Sequence, residues 1–259
     1  MTEKIALEIE YEGTEYHGYQ YQPGVSTVQG EIENSIKCLT GKFVRVNAAG
    51  RTDAGVHATG QVVAFNSSGD VGLKTILNGL NYHLPEDIQV KRTWVTKETF
   101  HPRKDAIARV YKYRIINSAF GSPLNRRFET RIKKHLDLSV MELGARMFLG
   151  VHDFSLFAGL GNTNILSTSR EITKSEIKKT GDKLEYMVEG NAFLPHQVRR
   201  MVGALVDLGK GLLSLESLRD LLNNNSNEVA HSLPARGLCL VKVKYPESGY
   251  FLDTYPNGS

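Results

Sequence analysis

One carboxylate, Asp53, stands in Gly50-Arg51-Thr52-Asp53-Ala54-Gly55-Val56-His57-Ala58, with an arginine two residues before it and a histidine four after it. Glycines on both sides permit φ > 0 and the close approach of a ligand. Ala54 is too small to shield the acid. An ionised carboxylate so placed can attack as a nucleophile or take a proton as a base. The same pattern is also an ordinary turn, because Asp bonds readily to nearby backbone. A phosphate-binding loop is excluded: Gly50 and Gly55 have its spacing, but Val56-His57 follows where Lys-Ser/Thr is required.

Two other stretches carry groups that could act with Asp53. In Arg109-Val110-Tyr111-Lys112-Tyr113-Arg114 the two tyrosines share one face of a strand, and Val110, Lys112 and Arg114 share the other. In Asn191-Ala192-Phe193-Leu194-Pro195-His196-Gln197-Val198-Arg199-Arg200, Arg199 lies one helical turn after Pro195 and His196. An isolated tyrosine is commonly a core aromatic, and Arg200 reads as a surface arginine.

These groups need a scaffold, and hydrophobic periodicity supplies one. Lys4 to Tyr11 alternates as a strand. A loop holding Tyr16, Tyr19 and Tyr21 follows, whose rings either pack the loop down or stack on bases. Ser26-Thr27-Val28-Gln29 is a capping-box pattern opening a helix to about Thr40. Strands over 43–48 and 59–66 flank the Asp53 loop. Ser67 to Asp70 reads as a turn, residues 72–83 as a helix stopped by Pro85, and Ile88 to Val95 as a strand.

The order then recurs. Ala106 to Ile116 is a strand, and Gly121 to His135 is a basic connection. Ser139-Val140-Met141-Glu142 opens a helix to about Leu149. Ser169–Lys179 and Lys183–Glu189 form a hairpin. Leu194–Leu208 and Leu215–Leu222 are helices, and Leu238–Lys244 is the last strand. The expected fold class is therefore α+β: two ferredoxin-like β-α-β-β-α-β halves, residues 1–100 and 101–259. They would form a continuous, mostly antiparallel sheet with helices on one side, its other face free to bind something large.

Composition sets limits. The 259 residues, 41% hydrophobic and 23% charged, are those of a globular chain able to bury a sizeable core. No signal peptide or membrane-spanning run is visible, so a cytoplasmic location is expected. Cys38 and Cys239 read as buried, reduced thiols, and no CxxC or HExxH spacing supports a metal site. The net charge of +4 is only mildly basic, but the cations cluster, as at Arg103-Lys104, Arg126-Arg127 and Arg199-Arg200. A nucleic-acid partner is permitted if the fold gathers them.

The three stretches together resemble the tRNA pseudouridine synthase A family. Leu84-Pro85-Glu86-Asp87-Ile88, Phe100-His101-Pro102-Arg103, His152-Asp153-Phe154-Ser155 and Gly237-Leu238-Cys239-Leu240-Val241 extend the likeness along nearly the whole chain. Val110 departs from the family's usual arginine, and Pro195 often differs; neither change touches a group expected to react. The resemblance implies isomerisation of uridine to pseudouridine at nucleotides 38, 39 and 40 of the tRNA anticodon arm. The base leaves C1′ by its N1 and rejoins by its C5, with no redox change, so no cofactor and no metal are expected. It implies Asp53 as the catalytic nucleophile or base, and Tyr111 as the ring stacked on the target base. Arg199 would be the ion-pair partner of Asp53, and Arg51, Arg103 and His196 would contact substrate. It implies a homodimer whose subunits both touch each tRNA.

Two other readings have distinct signatures. A glycosidase generally needs two carboxylates across the bond, and the loop offers one. An RNA-recognition module would show aromatic strand motifs rather than Arg-Thr-Asp on a glycine loop.

Overall fold

The structure is a computed structural model that describes residues 3–67, 71–159, 167–247 and 250–256. In chain order these residues form β1 (Glu3–Tyr11), α1 (Val28–Thr40), β2 (Asn47–Ala48), β3 (His57–Ser67), α2 (Leu73–His83) and β4 (Ile88–Thr96). There follow β5 (Ala108–Asn117), β6 (Thr130–Ile132), α3 (Leu138–Met147), β7 (Gly150–Asp153), β8 (Ser169–Thr180) and β9 (Lys183–Gly190). The rest is α4 (Gln197–Gly209), α5 (Leu215–Leu222), β10 (Leu238–Lys244) and β11 (Phe251–Tyr255). The class is α+β, and every pairing described within a unit is antiparallel except that of β5 with β6.

The chain divides into two compact units, residues 1–107 with 240–259, and residues 108–239. The expected division at 100/101 placed everything after it in one half. Instead the end of the chain rejoins the first unit.

In the first unit β1 runs between β3 and β4, with Leu7 opposite Val63 and Ile5 opposite Val95. β2 adds beside β3, and β11 beside β4. The ladder β4-β1-β3-β2 is the ferredoxin-like arrangement. α1 presents Val28, Ile32 and Ile36, all buried, and packs against α2, which buries Ile76 and Leu80. Each such side chain contributes roughly 1.5–3 kcal/mol by leaving water.

In the second unit the ladder runs β5-β9-β8-β7, with β6 beside β5. α3 packs on α4 and α5. Phe148, Phe154 and Phe157 are fully buried, with the rings of Phe148 and Phe157 edge to face at 5.5 Å.

Several local expectations change for physical reasons. Thr27, not Ser26, caps α1, its Oγ1 accepting the Gly30 N–H at 3.3 Å; Gln29 is engaged elsewhere. Asp137, not Ser139, caps α3, its Oδ1 accepting the Ser139 and Val140 N–H groups at 2.9 and 3.4 Å. α4 begins at Gln197 rather than Leu194 because His196 takes a left-handed φ of 61°. Of the strand expected over 43–48, only Asn47–Ala48 pairs. β6 lies inside the expected basic connection, while β7 and β11 were not expected; β10 is followed by a further strand. Cys38 is exposed and only Cys239 is buried. From Ser68 on, the expected turn at 67–70 lies outside the described residues, among which no helix is long and apolar enough to cross a membrane.

Candidate functional site

The Asp53 loop leaves β2 and enters β3 as a tightly braced turn. The Ala49 N–H donates to the Val62 carbonyl at 2.8 Å, and Gln61, fully buried, donates through Nε2 to the Gly50 carbonyl at 2.8 Å. The Val56 N–H then closes back on the Asp53 carbonyl at 3.1 Å, with Gly55 at a φ of 77° that a side chain would strain. Asp53 is half-buried, and Arg51 beside it is exposed.

The segment between β1 and α1 clamps this loop from its other side. Tyr11 Oη and Thr52 Oγ1 share a buried hydrogen bond of 2.8 Å, and the Tyr19 N–H donates to the Thr52 carbonyl at 3.0 Å. The Gly13 N–H donates to Nδ1 of the buried His57 at 3.1 Å, which leaves the neutral ring's proton on Nε2. Close approach requires the glycines: a Cβ on Gly13 would lie 2.0 Å from the Val56 carbonyl oxygen, and one on Gly18 2.9 Å from that of Thr52. Thr52 and His57 thus act as struts, and Tyr11 at the end of β1 packs inward with the loop tyrosines Tyr16 and Tyr19. Arg103 is exposed beyond these residues, its N–H donating to His101 Nδ1 at 3.2 Å.

In the second unit, Tyr111 lies on β5 opposite Val188 and is buried, its ring edge to face with Phe193 at 5.2 Å and 85°. The segment carrying Phe193 is fixed at both ends. Arg109 Nη1 donates to the Asn191 carbonyl at 2.7 Å, and the Leu194 N–H donates to Oε1 of the fully buried Gln197 at 2.8 Å. His196 is exposed at the head of α4, and its ring leaves no room for a Cβ at Gly159.

Arg199 is held by a strap formed of residues 230–237. Its Nε donates to the Leu233 carbonyl at 2.8 Å, and the Leu233 N–H returns a bond to the Arg199 carbonyl at 3.2 Å. Tyr113, fully buried, donates its hydroxyl to the Pro234 carbonyl and meets Thr130 Oγ1, both at 2.7 Å. Burial pushes this phenol up to about 12, against the opposing pull of the Thr130 hydroxyl and the Arg199 and Arg236 guanidiniums. His231 Nδ1 meets Asp207 Oδ2 at 2.7 Å and ties the strap to α4 again. Arg200, expected at the surface, is half-buried, and its Nε has no hydrogen-bond partner among the described residues; burial and the neighbouring Arg199 lower its pKa.

Asp53, Arg51 and Arg103 therefore belong to the first unit, and Tyr111, His196 and Arg199 to the second. Sequence reasoning missed the struts, because their partners meet in space and stand apart in the chain: Tyr11 with Thr52, Gly13 with His57, and Leu233 with Arg199. Among the described residues, no three of His, Cys, Asp and Glu gather as metal ligands would.

The family model described as tRNA pseudouridine synthase matches residues 8–103 and 145–246. The tRNA pseudouridine synthase A of Geotalea daltonii is 38% identical over 242 residues, 93% of this chain and 99% of the relative. The protein of that name from Roseiflexus castenholzii is 39% identical over 249 residues (95% and 92%), and that from Shouchella clausii 36% over 253 residues (97% and 97%). Among solved structures, one of a Cbf5-Nop10-Gar1 complex matches at a TM-score of 0.35 and 10% identity, covering 93% of this chain and 60% of that one. That likeness is too slight to carry an argument.

Proposed function

The chain belongs to the tRNA pseudouridine synthase A family, a family of isomerases, and from that membership we propose that it converts uridine to pseudouridine at nucleotides 38, 39 and 40 of the tRNA anticodon arm, with Asp53 as the reacting carboxylate. The observation that carries this reading is the Asp53 loop itself. It lies inside the first matched segment and is held by main-chain and buried side-chain bonds on both sides. A carboxylate fixed in this way can meet a reacting carbon without first ordering its own loop.

The chemistry follows from the residue types. Asp53 attacks C1′ or C6, or draws a proton from C2′; each route breaks the N1–C1′ bond so that the base can turn and rejoin C1′ through its C5. The acid must be ionised, and Arg199 is the cation proposed to pair with it. Tyr111, braced edge-on by Phe193, stacks on the target base. Stacking is its first task, since a free phenol, with a pKa of about 10, is a poor base at neutral pH. Arg51, Arg103 and His196 contact the RNA.

A uridine inside a stem must leave the stack, at a cost of a few kcal/mol. Phosphate contacts from gathered cations offset that cost, and recognition rests on the shape of the arm. In this reading the protein works in the cytoplasm as a homodimer, each tRNA touching both subunits.

The test is release of tritium from C5-labelled uridine in a tRNA transcript, with Asp53→Asn beside the wild type. Release by the wild type alone, with tRNA binding kept by the variant, supports the isomerase and the role of Asp53. Equal release by both removes Asp53 from the reaction. Free uracil as product would replace isomerisation with glycosidic cleavage, and binding without any product would leave an RNA-binding protein.

A further inference from the structure

The first unit carries an aromatic and cationic cluster that the reacting groups do not use. Three of the four tyrosines near the Asp53 loop are buried, but Tyr21 is 44% exposed, and Phe43 is 57% exposed. Both rings converge on one guanidinium: Arg45 Cζ lies 4.8 Å from the Tyr21 centroid and 5.2 Å from that of Phe43. Single exposed aromatics are ordinary. Two that flank a fixed cation, with much of both rings left in water, form a surface suited to a flat, electron-rich partner.

The cluster is built rather than incidental. Glu33 is buried on α1, and its Oε2 accepts a hydrogen bond from Arg45 Nη1 at 2.7 Å. Its Oε1 accepts the Val46 N–H at 3.1 Å and Gln29 Nε2 at 2.8 Å. Gln29 Oε1 in turn accepts the Tyr21 N–H at 2.9 Å. One buried carboxylate and one amide therefore fix both of the segments that bring rings to Arg45. A buried carboxylate is costly unless paired and fully bonded, and here its bonds all go to holding this cluster.

A pocket of about 350 Å³ opens beside it, lined by Phe43, Arg45, Asn47, Lys4 and His101 among others, with no carboxylate side chain among the described residues of its lining. Lys4 Nζ donates to the Glu98 and Phe100 carbonyls at 2.6 and 2.9 Å and keeps a third proton. His101 Nδ1 accepts the N–H groups of Arg103 and Lys104, so the neutral ring carries its donor proton on Nε2. Two chain segments lead from the cluster to the Asp53 loop. Asn47, in the lining, begins the strand that leads into that loop. Tyr21 lies two residues past Tyr19, whose N–H holds Thr52.

We propose that Tyr21, Arg45 and Phe43, with the adjoining cationic pocket, form a subsite for an unpaired nucleotide of the RNA substrate. The base stacks on the exposed rings, and its phosphate meets Arg45 and Lys4. Stacking on aromatic and guanidinium planes is how unpaired bases are commonly held, and the Lys4 and Arg45 cations in the lining suit an anion. The inference rests on the proposed tRNA substrate and adds a second point of contact to it.

The test replaces exposed rings only, since removing Arg45 would leave Glu33 buried and unpaired. Phe43→Ala and Tyr21→Ala are each expected to raise the Kd and KM for tRNA about tenfold, with the loss falling on KM rather than kcat. Phe43→Tyr is expected to restore the wild-type value. The slope of log Kd against log salt should stay that of the wild type, because a neutral ring neutralises no phosphate. Thermal midpoints check that the variants fold; should Tyr21→Ala unfold, Phe43→Ala decides. Independently, p-benzoylphenylalanine placed at position 43 is expected to cross-link to the anticodon loop of bound tRNA. Wild-type Kd and KM in Phe43→Ala, or cross-links confined to RNA outside the anticodon arm, would overturn the subsite. Failure of the wild type to release tritium would overturn the proposed function instead, while the cross-link still decides the subsite.

Discussion

Tyr111 and Tyr113 stand two residues apart on the same face of β5, yet their surroundings assign them different work. Tyr111 packs edge-on against Phe193, whereas Tyr113 uses its hydroxyl to hold Pro234 and Thr130. Tyr113 also gives stability a dependence on pH. An unfolded chain ionises tyrosine near pH 10, while burial keeps the Tyr113 proton in the folded chain to about 12. Its contribution is therefore complete below pH 10 and is lost as the pH rises to 12, by about 2–3 kcal/mol. Tyr113→Phe should cost about 1–3 kcal/mol near neutrality by leaving the buried Thr130 hydroxyl without its partner. That difference from the wild type should shrink between pH 10 and 12, as followed by urea midpoints. Asp53 and Tyr111 could be singled out as candidates in the sequence because each sits within a short motif. The Arg45 cluster was not, because its three members come from two separate loops. Cys38, expected to be buried, is exposed because its position two residues past Ile36 turns it off the buried stripe of α1.

Among the elements, α4 depends on how closely the strap lies on it. A Cβ on Gly203 would sit 2.1 Å from the His231 carbonyl oxygen, a backbone atom that cannot swing aside. Gly203→Ala must therefore lift the strap from α4 and loosen the bonds between Leu233 and Arg199. The expected cost is about 1–3 kcal/mol, or a fall in thermal midpoint of roughly 2–10 °C. Tritium release should fall with it if Arg199 acts as proposed. Elements with full periodicity were read closely: Leu215–Leu222 and Leu238–Lys244 have the bounds their patterns suggested. β6 and β7 were missed because strands of three and four residues are too short to show alternation. Both capping boxes misled because the residue that reached the free N–H groups was a neighbour one or two places away. The glycines at 13, 18 and 203 could not be read as contacts, since what each one admits comes from far along the chain.

At the scale of the molecule, the division of the chain is the feature periodicity could not supply, because both ends belong to one unit. β11 covers the outer edge of β4, pairing Phe251 with Thr96 and Thr254 with Trp94. Phe100, fully buried, has the rings of Tyr245, Tyr250 and Phe251 around it at 5.2–5.5 Å. Deleting residues 246–259 should uncover both, costing about 2–4 kcal/mol as a large aromatic loses its packing. It would also leave a strand edge open to pairing with other chains. Lower denaturant midpoints together with concentration-dependent light scattering would show the two effects, and an unchanged midpoint would mean that the tail adds nothing to the core.

The strand order also sets a clock on the ribosome. β3, which leads out of the Asp53 loop, has β10 close against it: a Cβ on Gly60 would meet the Val241 carbonyl oxygen at 2.3 Å. Residues 108–239 must all be translated before that backing strand exists, an interval on the order of ten seconds at roughly 5–20 residues per second. For that time the nascent chain holds the reactive loop and the first three long strands of its sheet without the strands that later flank them. The first unit, although begun first, is the last to be finished.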